Sequence, residues 1–500
     1  MRQILAMICL WALVTSAEAQ SIKWGEAKKV RGTFTMIGER ESDVVLYFQE
    51  MKGVFGLGGI KPSILTYDKN CKVKDKVALS GIFDKNSLMF DIILKGDSYQ
   101  GLTIDNIMNN KEKGVYLVEF DEKEEKSREL VHTIPRGHSL AYFNNVEFMK
   151  SDQTFEILYS SDNSKMAVLT LSHKKNIHKG NVAIFDRASN LVSIANVDLN
   201  LKNRQNASEV VDKKLKNDGT ILLVSKNYKT KKKKQRSNKQ PNYSYTAYKV
   251  DGENVTTYTL PQQDTYMRDA VVEEDDAGNL YLISHYEEKL RAGANGFNVT
   301  KFDPTGNILF TKALPAQSLK KGKKLLDKDL QFLGVTVIDD ILLLVSRIVD
   351  GSAEDDGTIQ FMKSSSKSEY IYLEDYIFDG INLDGEQVWS ERLVRSDRSV
   401  AKEYLKNSIY YNDEGINLFI NTHGAQIAKL SSDKVAVKSV PSKKNHVMQL
   451  SVTKDGLVEY KDVSGMVGVT KFDSLFGRES GSFYFLGVTP DYRKLRFGRL

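Results

Sequence analysis

Proline is scarce in this chain, 8 among 500 residues, and no Ser/Gly-rich tract breaks it up. Tethered strings of domains draw on such stretches. The shortage points instead to a repeat architecture, because 500 residues exceed what one simple core holds. Cysteine is scarcer still: Cys9 and Cys71 are the only two. Cys9 lies in a leader expected to be removed, so no intramolecular disulfide is expected in the mature chain. Cys71 follows Asn70 in an apparent turn with no histidine close in sequence, and reads as a bystander rather than a thiolate nucleophile. Long apolar runs are missing too. The stretch Ile4–Val14 is too short to cross a bilayer, and no transmembrane segment is expected.

The first residues do contain a processing signal. Arg2, the apolar stretch and Ala17-Glu18-Ala19 supply the charged, apolar and small-x-small parts of a signal peptide over 1–19. Cys9 lacks the preceding small residues that lipid attachment uses, so no lipid anchor is expected. The chain is expected to be exported, to the periplasm or beyond the cell.

Beyond the leader the chain repeats itself. "KFDPTGNILFTKAL" (Lys301–Leu314) and "GINLDGEQVWSERL" (Gly380–Leu393) share one design, an alternating apolar stretch, an Asp near a Gly, and a second alternating stretch. Seven such hairpins occur, with aligned aspartates Asp68, Asp121, Asp186, Asp251, Asp303, Asp384 and Asp455. Period-two alternation of β-branched and aromatic residues predicts strand, turn, strand. Asp, Asn and Gly suit the turns because they tolerate left-handed dihedrals or bond their own backbone. A further strand precedes each hairpin: "VVLYFQE" (Val44–Glu50), "SLMFDIILK" (Ser87–Lys95), "KMAVLTLS" (Lys165–Ser172), "TILLVSKN" (Thr220–Asn227), "NLYLISHY" (Asn279–Tyr286), "ILLLVSR" (Ile341–Arg347) and "GINLFINTH" (Gly415–His423). Tight-turn residues stand before most of them. Each unit therefore reads as four antiparallel strands, A to D, with tight A–B and C–D turns.

"YSSDNSKMAVL" (Tyr159–Leu169) resembles the S-P-D-G-K motif of exported bacterial WD40-like β-propeller repeats, with Ser161 in place of Pro and Asn163 in place of Gly. "KFDPTGNILFTKAL" is similar to the matching hairpin of many secreted propellers. The resemblance covers nearly all of the mature chain and implies architecture only. The fold expected is all-β, a β-propeller of four-stranded antiparallel blades, seven in number, with eight as the alternative. It would form a single domain over 20–500 closed by the terminal strands. The alternative rests on "SIKW" (Ser21–Trp24), "SFYFLGV" (Ser482–Val488) and "KLRFGRL" (Lys494–Leu500), which lie outside the seven hairpins.

In such a fold the tight turns share one face, and the B–C and D–A connections share the other. The variable lengths fall in these second connections, which is where binding loops are expected. Charge gathers there as well. The seven B–C segments carry +14 against +6 for the whole chain, and 226–242 alone carries +8. A solvated loop is the plain explanation of "KNYKTKKKKQRSNKQ" (Lys226–Gln240). The functional one is an anion-binding loop with Lys231, Lys232, Lys233, Lys234 and Arg236 as ligand-binding residues, because charge of one sign concentrates opposite-sign partners. The partner expected is an anionic polysaccharide or cell-surface polymer, ahead of nucleic acid.

Recognisable catalytic chemistry is absent. There is no zinc signature, and His173 and His178 in "HKKNIH" read as a surface pair, so no metal site and no cofactor are expected. The other histidines, His132, His138, His285, His423 and His446, are scattered. "EEDDAGN" (Glu273–Asn279) reads as a plain turn rather than a calcium loop. "GVFGLGGIK" (Gly53–Lys61) lacks the G-K-[ST] ending of a phosphate loop, and no G-x-S-x-G elbow occurs. No catalytic residue is assigned. The function expected is a binding or interaction protein. The alternative is an exported enzyme acting on a polyanionic glycan, with carboxylates or histidines gathered over the central channel. Ser208–Asn217 and the stretch near Leu325 are read as short helices, and Trp389 as packing between blades.

Overall fold

The structure, a computed structural model, describes residues 21–29, 32–51, 60–79, 82, 88–106, 113–134, 153–162, 164–172, 179–186, 190–198, 207–230, 236–237, 240–260, 265–287, 295–315, 328–350, 371–393, 397–399, 407–412, 414–423, 438–439, 445–463, 469–477, 482–488 and 494–500. The leader 1–19, His138, His173, His178, the glycine-rich 53–59, the stretch near Leu325 and Lys231–Lys234 lie outside these residues. No helix among the described residues is long and apolar enough to cross a membrane.

Strands dominate, and they form eight four-stranded antiparallel blades of the β-propeller class. Two compact units hold them: Gly81–Leu393 with Lys454–Gly456, and Met1–Ser80 with Val394–Thr453 and Leu457–Leu500. The first unit carries five blades. Blade 2 has Leu88–Lys95, Ser98–Asn106, Lys113–Phe120 and Glu125–Ile134. Blade 3 has Gln153–Tyr159, Lys165–Ser172, Lys179–Asp186 and Leu191–Asp198. Blade 4 has Ala207–Leu215, Ile221–Tyr228, Tyr243–Asp251 and Asn254–Thr259. Blade 5 has Tyr266–Glu274, Leu280–Glu287, Gly296–Phe302 and Ile308–Pro315. Blade 6 has Lys328–Ile338, Ile341–Asp350, Ile371–Asn382 and Gln387–Leu393.

The second unit carries three. Blade 1 has Gly32–Glu39, Asp43–Met51, Ile60–Asp68 and Val73–Ala78, and blade 7 has Asn407–Asn412, Gly415–His423, Asn445–Thr453 and Val458–Asp462. Blade 8 is composite. Val469–Gly477, Ser482–Val488 and Lys494–Arg499 are its strands A to C, and the N-terminal Lys23–Trp24 pairs with the last as strand D. Seven hairpins thus become eight blades. Blade 8 draws its C and D strands from opposite chain ends, so it has no C–D hairpin to repeat the signature.

Blades meet through apolar faces. Between blades 3 and 4, Leu169, Ile184 and Val197 pack on Leu215, Leu223 and Tyr248. Between blades 5 and 6, Ile283 and Val299 pack on Val335 and Leu344. In the second unit, Ile22 is buried with Phe419, Val447 and Phe485, which seats the N-terminal strand. Burying a side chain of this size contributes about 1.5–3 kcal/mol, so each interface is a sum of such contacts.

Turns follow the expected chemistry with two shifts. Asp68, Asp121, Asp186 and Asp303 open their C–D turns and accept backbone N–H groups two to four residues on. In blades 6 and 7 that post belongs to Asn382 and Thr453, which accept from Glu386 and Leu457. Asp384 and Asp455, aligned from sequence, sit two places later. Glu273–Asn279 spans the A–B turn of blade 5, as expected. Asp275 accepts the Asn279 N–H at 2.8 Å and the Tyr281 hydroxyl at 3.0 Å.

Two other assignments change. Leu88–Lys95 is strand A of blade 2, not strand B, because Gly96 (φ 57°) and Asp97 turn it into Ser98–Asn106. That partner is inconspicuous in sequence because Gly101 and buried Gln100 weaken its strand pattern. The segment expected to form a helix at Ser208–Asn217 is instead strand A of blade 4 through Leu215. A register shift between Val210 and Asp212 breaks its alternation, and the broken period resembles a helical one.

Candidate functional site

Register shifts of this kind recur in the A–B ladders of six blades, at Met36/Gly38, Met89/Asp91, Val210/Asp212, Met267/Ala270, Phe332/Gly334 and Lys471/Ser474. A bulge re-aims the side chains beside it. In the five-blade unit it turns two carboxylates sideways onto the next A strand. Asp212 Oδ2 accepts the Val272 N–H at 2.9 Å, and Asp269 Oδ2 accepts the Phe332 N–H at 3.2 Å. Burial raises both pKa values, that of Asp269 to about 6, although the backbone N–H bonds pull the other way.

Next to these bulges, the B strands of blades 4, 5 and 6 place one repeated pair. It is Ser225-Lys226, Ser284-His285 and Ser346-Arg347, with Lys226 and His285 two residues and Arg347 three residues short of the strand's long-loop end. The three serines are buried. The basic residues have polar company on the A strands. Lys226 is in register with Glu209, and Arg347 donates through Nε and Nη2 to Gln331 Oε1 at 2.9 and 2.6 Å. Arg268 forms an ion pair with Glu287, which is fully buried. His285 Nε2 lies 3.3 Å from Ser346 Oγ, so the layer is continuous from blade 5 into blade 6.

Lys226 has the least ordinary surroundings. Its Nζ stands 4.0 Å from the ring centroid of Tyr243, 5.5 Å from that of Tyr228 and 5.7 Å from that of Tyr245. An ammonium among ring faces gains cation–π attraction while losing hydration. The rings are fixed by their hydroxyls: Tyr243 donates to Met267 O (2.5 Å), Tyr245 to Arg268 O (2.6 Å) and Tyr228 to Glu209 Oε2 (2.9 Å). Burial lowers the Lys226 pKa to about 8, against the pull of Glu209 and Asp269 and helped by the repulsion of Arg268. Two opposed shifts therefore share one layer, a lysine moved down and an aspartate moved up. His285, fully buried and stacked on Phe332 with centroids 3.7 Å apart, is driven down to about 3 and stays neutral.

The basic loop expected to bind anions springs from these same rungs. Tyr228 pairs with Tyr243, and just beyond them Lys229 N–H donates to Asn242 O at 2.9 Å. Asn242 Nδ2 donates to Thr230 Oγ1 at 3.1 Å, which closes the loop base. Lys231, Lys232, Lys233 and Lys234 lie outside the described residues. Arg236 is placed by its backbone, which pairs with Pro241. The loop was legible in the sequence; its floor was not. The available signal was the triplet V-S-K, I-S-H and V-S-R, an apolar residue, a serine and a Lys, His or Arg at one position of three successive B strands.

Other candidates resolve differently. Cys71 is buried in a left-handed turn (φ 61°), its Sγ donates to Lys23 O at 3.3 Å, and burial pushes the thiol up to about 11. It is no thiolate. His446 Nδ1 lies 2.6 Å from Asp462 Oδ2 across the C–D ladder of blade 7. Among the described residues no group of three or more His, Cys, Asp and Glu is placed to hold a metal ion.

Blade architecture and site together define a β-propeller protein with a polar layer under its long-loop face. No family model matches the chain, and no curated protein does. Solved structures similar to it include the following three. The polysaccharide lyase Uly1 is 11% identical over 96% of this chain and 99% of its own, with a TM-score of 0.40. The β-propeller domain of the trilobed protease of Pyrococcus furiosus is 8% identical over 75% and 97%, with a TM-score of 0.31. The GH93 α-L-arabinofuranosidase of Fusarium graminearum is 7% identical over 69% and 91%, with a TM-score of 0.33.

Proposed function

We propose that this chain is an exported β-propeller binding protein whose long-loop face takes an anionic polymer, a polysaccharide or a cell-surface component. One observation carries the reading. The most basic loop of the sequence is anchored on the rungs that also hold Lys226 and its tyrosines, next to Arg268. Lysines spread along a loop attract a polyanion without demanding one geometry, whereas cations fixed on strands can discriminate among its groups.

The test is binding of the 20–500 chain to polygalacturonate, a sulfated polysaccharide, polyphosphate and single-stranded DNA, at low and high salt. The same panel is run with Lys231, Lys232, Lys233 and Lys234 changed to serine. Selective binding that weakens with salt and drops in the variant supports the reading. Binding equal in the variant, or none, refutes it.

A second reading, an enzyme acting on a polyanionic glycan, is favoured by the opposed pKa shifts of Lys226 and Asp269 in one buried layer. Its signature is release of new chain ends from one glycan of the panel, lost in Lys226→Met. A panel returned intact removes it.

A further inference from the structure

Six A–B ladders slip register, and in five of them the residues left out of pairing begin with an apolar side chain. They are Ile37 in blade 1, Phe90 in blade 2, Val211 in blade 4, Leu333 in blade 6 and Phe472, followed by Asp473, in blade 8. In blade 5 they are Arg268 and Asp269. Where copies of one structural unit agree and a single copy departs, the departure is expected to serve function rather than fold.

Arg268 is held from both neighbouring blades. Its carbonyl oxygen accepts the Tyr245 hydroxyl of blade 4 at 2.6 Å, and Met267 O, one residue earlier, accepts that of Tyr243 at 2.5 Å. Asp269 Oδ2, one residue later, accepts the Phe332 N–H of blade 6 at 3.2 Å. The guanidinium is ion-paired through Nε with Glu287, which is fully buried, while the Arg268 side chain keeps 25% of its surface exposed. A buried carboxylate beside an arginine is a costly way to join two strands, since an apolar pair of similar volume often does as well or better. What the pair supplies is a guanidinium of fixed orientation at an accessible place.

We propose that Arg268 reads the acid group of the bound polymer, and that this group is a singly charged oxygen acid, a carboxylate or a sulfate ester. The inference rests on the anion-binding reading above and assigns its selectivity. A guanidinium presents its N–H donors in a rigid planar fork that matches two oxygens of one acid group, which an ammonium cannot copy. The layer sets Lys226, Arg268 and Arg347 against Glu209, Asp269 and Glu287, so with all six ionised it adds no net charge. Attraction therefore comes from the basic loop, and discrimination from Arg268. A doubly charged phosphate monoester would bring in more charge than this balanced layer answers.

The test is the affinity of the 20–500 chain for polygalacturonate, dextran sulfate and dextran phosphate, compared at equal polymer charge and across a salt series. Wild type is expected to prefer one of the first two, polygalacturonate marking a carboxylate and dextran sulfate a sulfate ester. Arg268→Lys keeps the charge and loses the fork. It is expected to lose that preference by about tenfold while keeping the salt slope and melting temperature of wild type. The variant with Lys231–Lys234 changed to serine is expected to do the reverse, keeping the preference and flattening the slope. If Arg268→Lys does not fold, Arg268→Gln with Glu287→Gln removes both charges of the pair together and is expected to lose the same preference. Equal affinity for the three polymers, or tightest binding to dextran phosphate, overturns the proposal. So does an unchanged preference in Arg268→Lys or, where that variant does not fold, in the double variant. A wild type that binds none of the three also overturns the reading beneath it.

Discussion

Asp379 is fully buried on the third strand of blade 6, where Gln387 Nε2 donates to its Oδ1 at 2.7 Å. Burial raises its pKa from 3.8 to about 6, with Ser390 and Gln387 pulling downward. Between those values the unfolded chain has released a proton that the folded chain keeps. Stability therefore falls as pH rises through the window. The distance between those two values corresponds to roughly 3 kcal/mol. Asp379→Asn retains an acceptor for Gln387 and removes the ionisation. It is predicted to melt above wild type at pH 7 and close to it at pH 4; equal losses at both would show that the carboxylate itself is required. Lys226 runs with the opposite sign of charge, lowered from 10.5 to about 8. From pH 8 to 10.5 the unfolded chain holds a proton the folded one lacks, so stability rises with pH there. Lys226→Met is predicted to flatten that rise and to leave the pH 7 melting temperature undiminished while weakening polymer binding. A buried charge kept at a cost to stability is expected where function needs it. A variant that melts lower yet binds as before would make Lys226 structural.

At the scale of elements, the C–D turn of blade 7 shows how closely hairpins are fitted. Gly456 has φ 83°, and the Trp389 ring lies 2.7 Å from where a Cβ would stand. Trp389 Nε1 donates to Lys454 O at 2.7 Å, so the indole seats the turn. Gly456→Ala combines left-handed strain with overpacking and is predicted to cost roughly 2–4 kcal/mol; a calorimetric melt at unchanged temperature would contradict that. The sequence carried most of this level. Hairpins repeat their alternation and turn residues because each blade solves the same burial problem, and so the fold class was legible. Trp389, expected to pack between blades, packs on the turn of blade 7. The eighth blade was half hidden because one of its hairpins is cut by the chain ends. Strand A of blade 4 was hidden by its bulge, and the same bulges build the polar layer. The site was thus least legible where the backbone departs from period two. Lys226 and Arg347 look like ordinary strand ends in sequence, and only the pairing of strands within a blade reveals what surrounds them.

For the molecule as a whole, the N-terminal strand of blade 8 makes a separate demand. Lys23–Trp24 pairs with Lys494–Arg499, Ile22 is buried among Phe419, Val447 and Phe485, and the Trp24 ring lies against Gly487 and Gly498. Removing 21–29 strips an edge strand and uncovers that cluster. The shortened chain is predicted to melt well below the 20–500 chain, and an unchanged melt would mean that the strand only decorates blade 8. The proposed function turns on the charge of one face. The measurement that tests it most directly is the affinity of the 20–500 chain for polygalacturonate across a salt series, beside the variant with Lys231–Lys234 changed to serine. The account predicts log affinity falling linearly with log salt, and a shallower slope in the variant, because fewer counterions are released when four cations are missing. Affinity too weak to measure at low salt, or the same slope in both proteins, would contradict the anion-binding face.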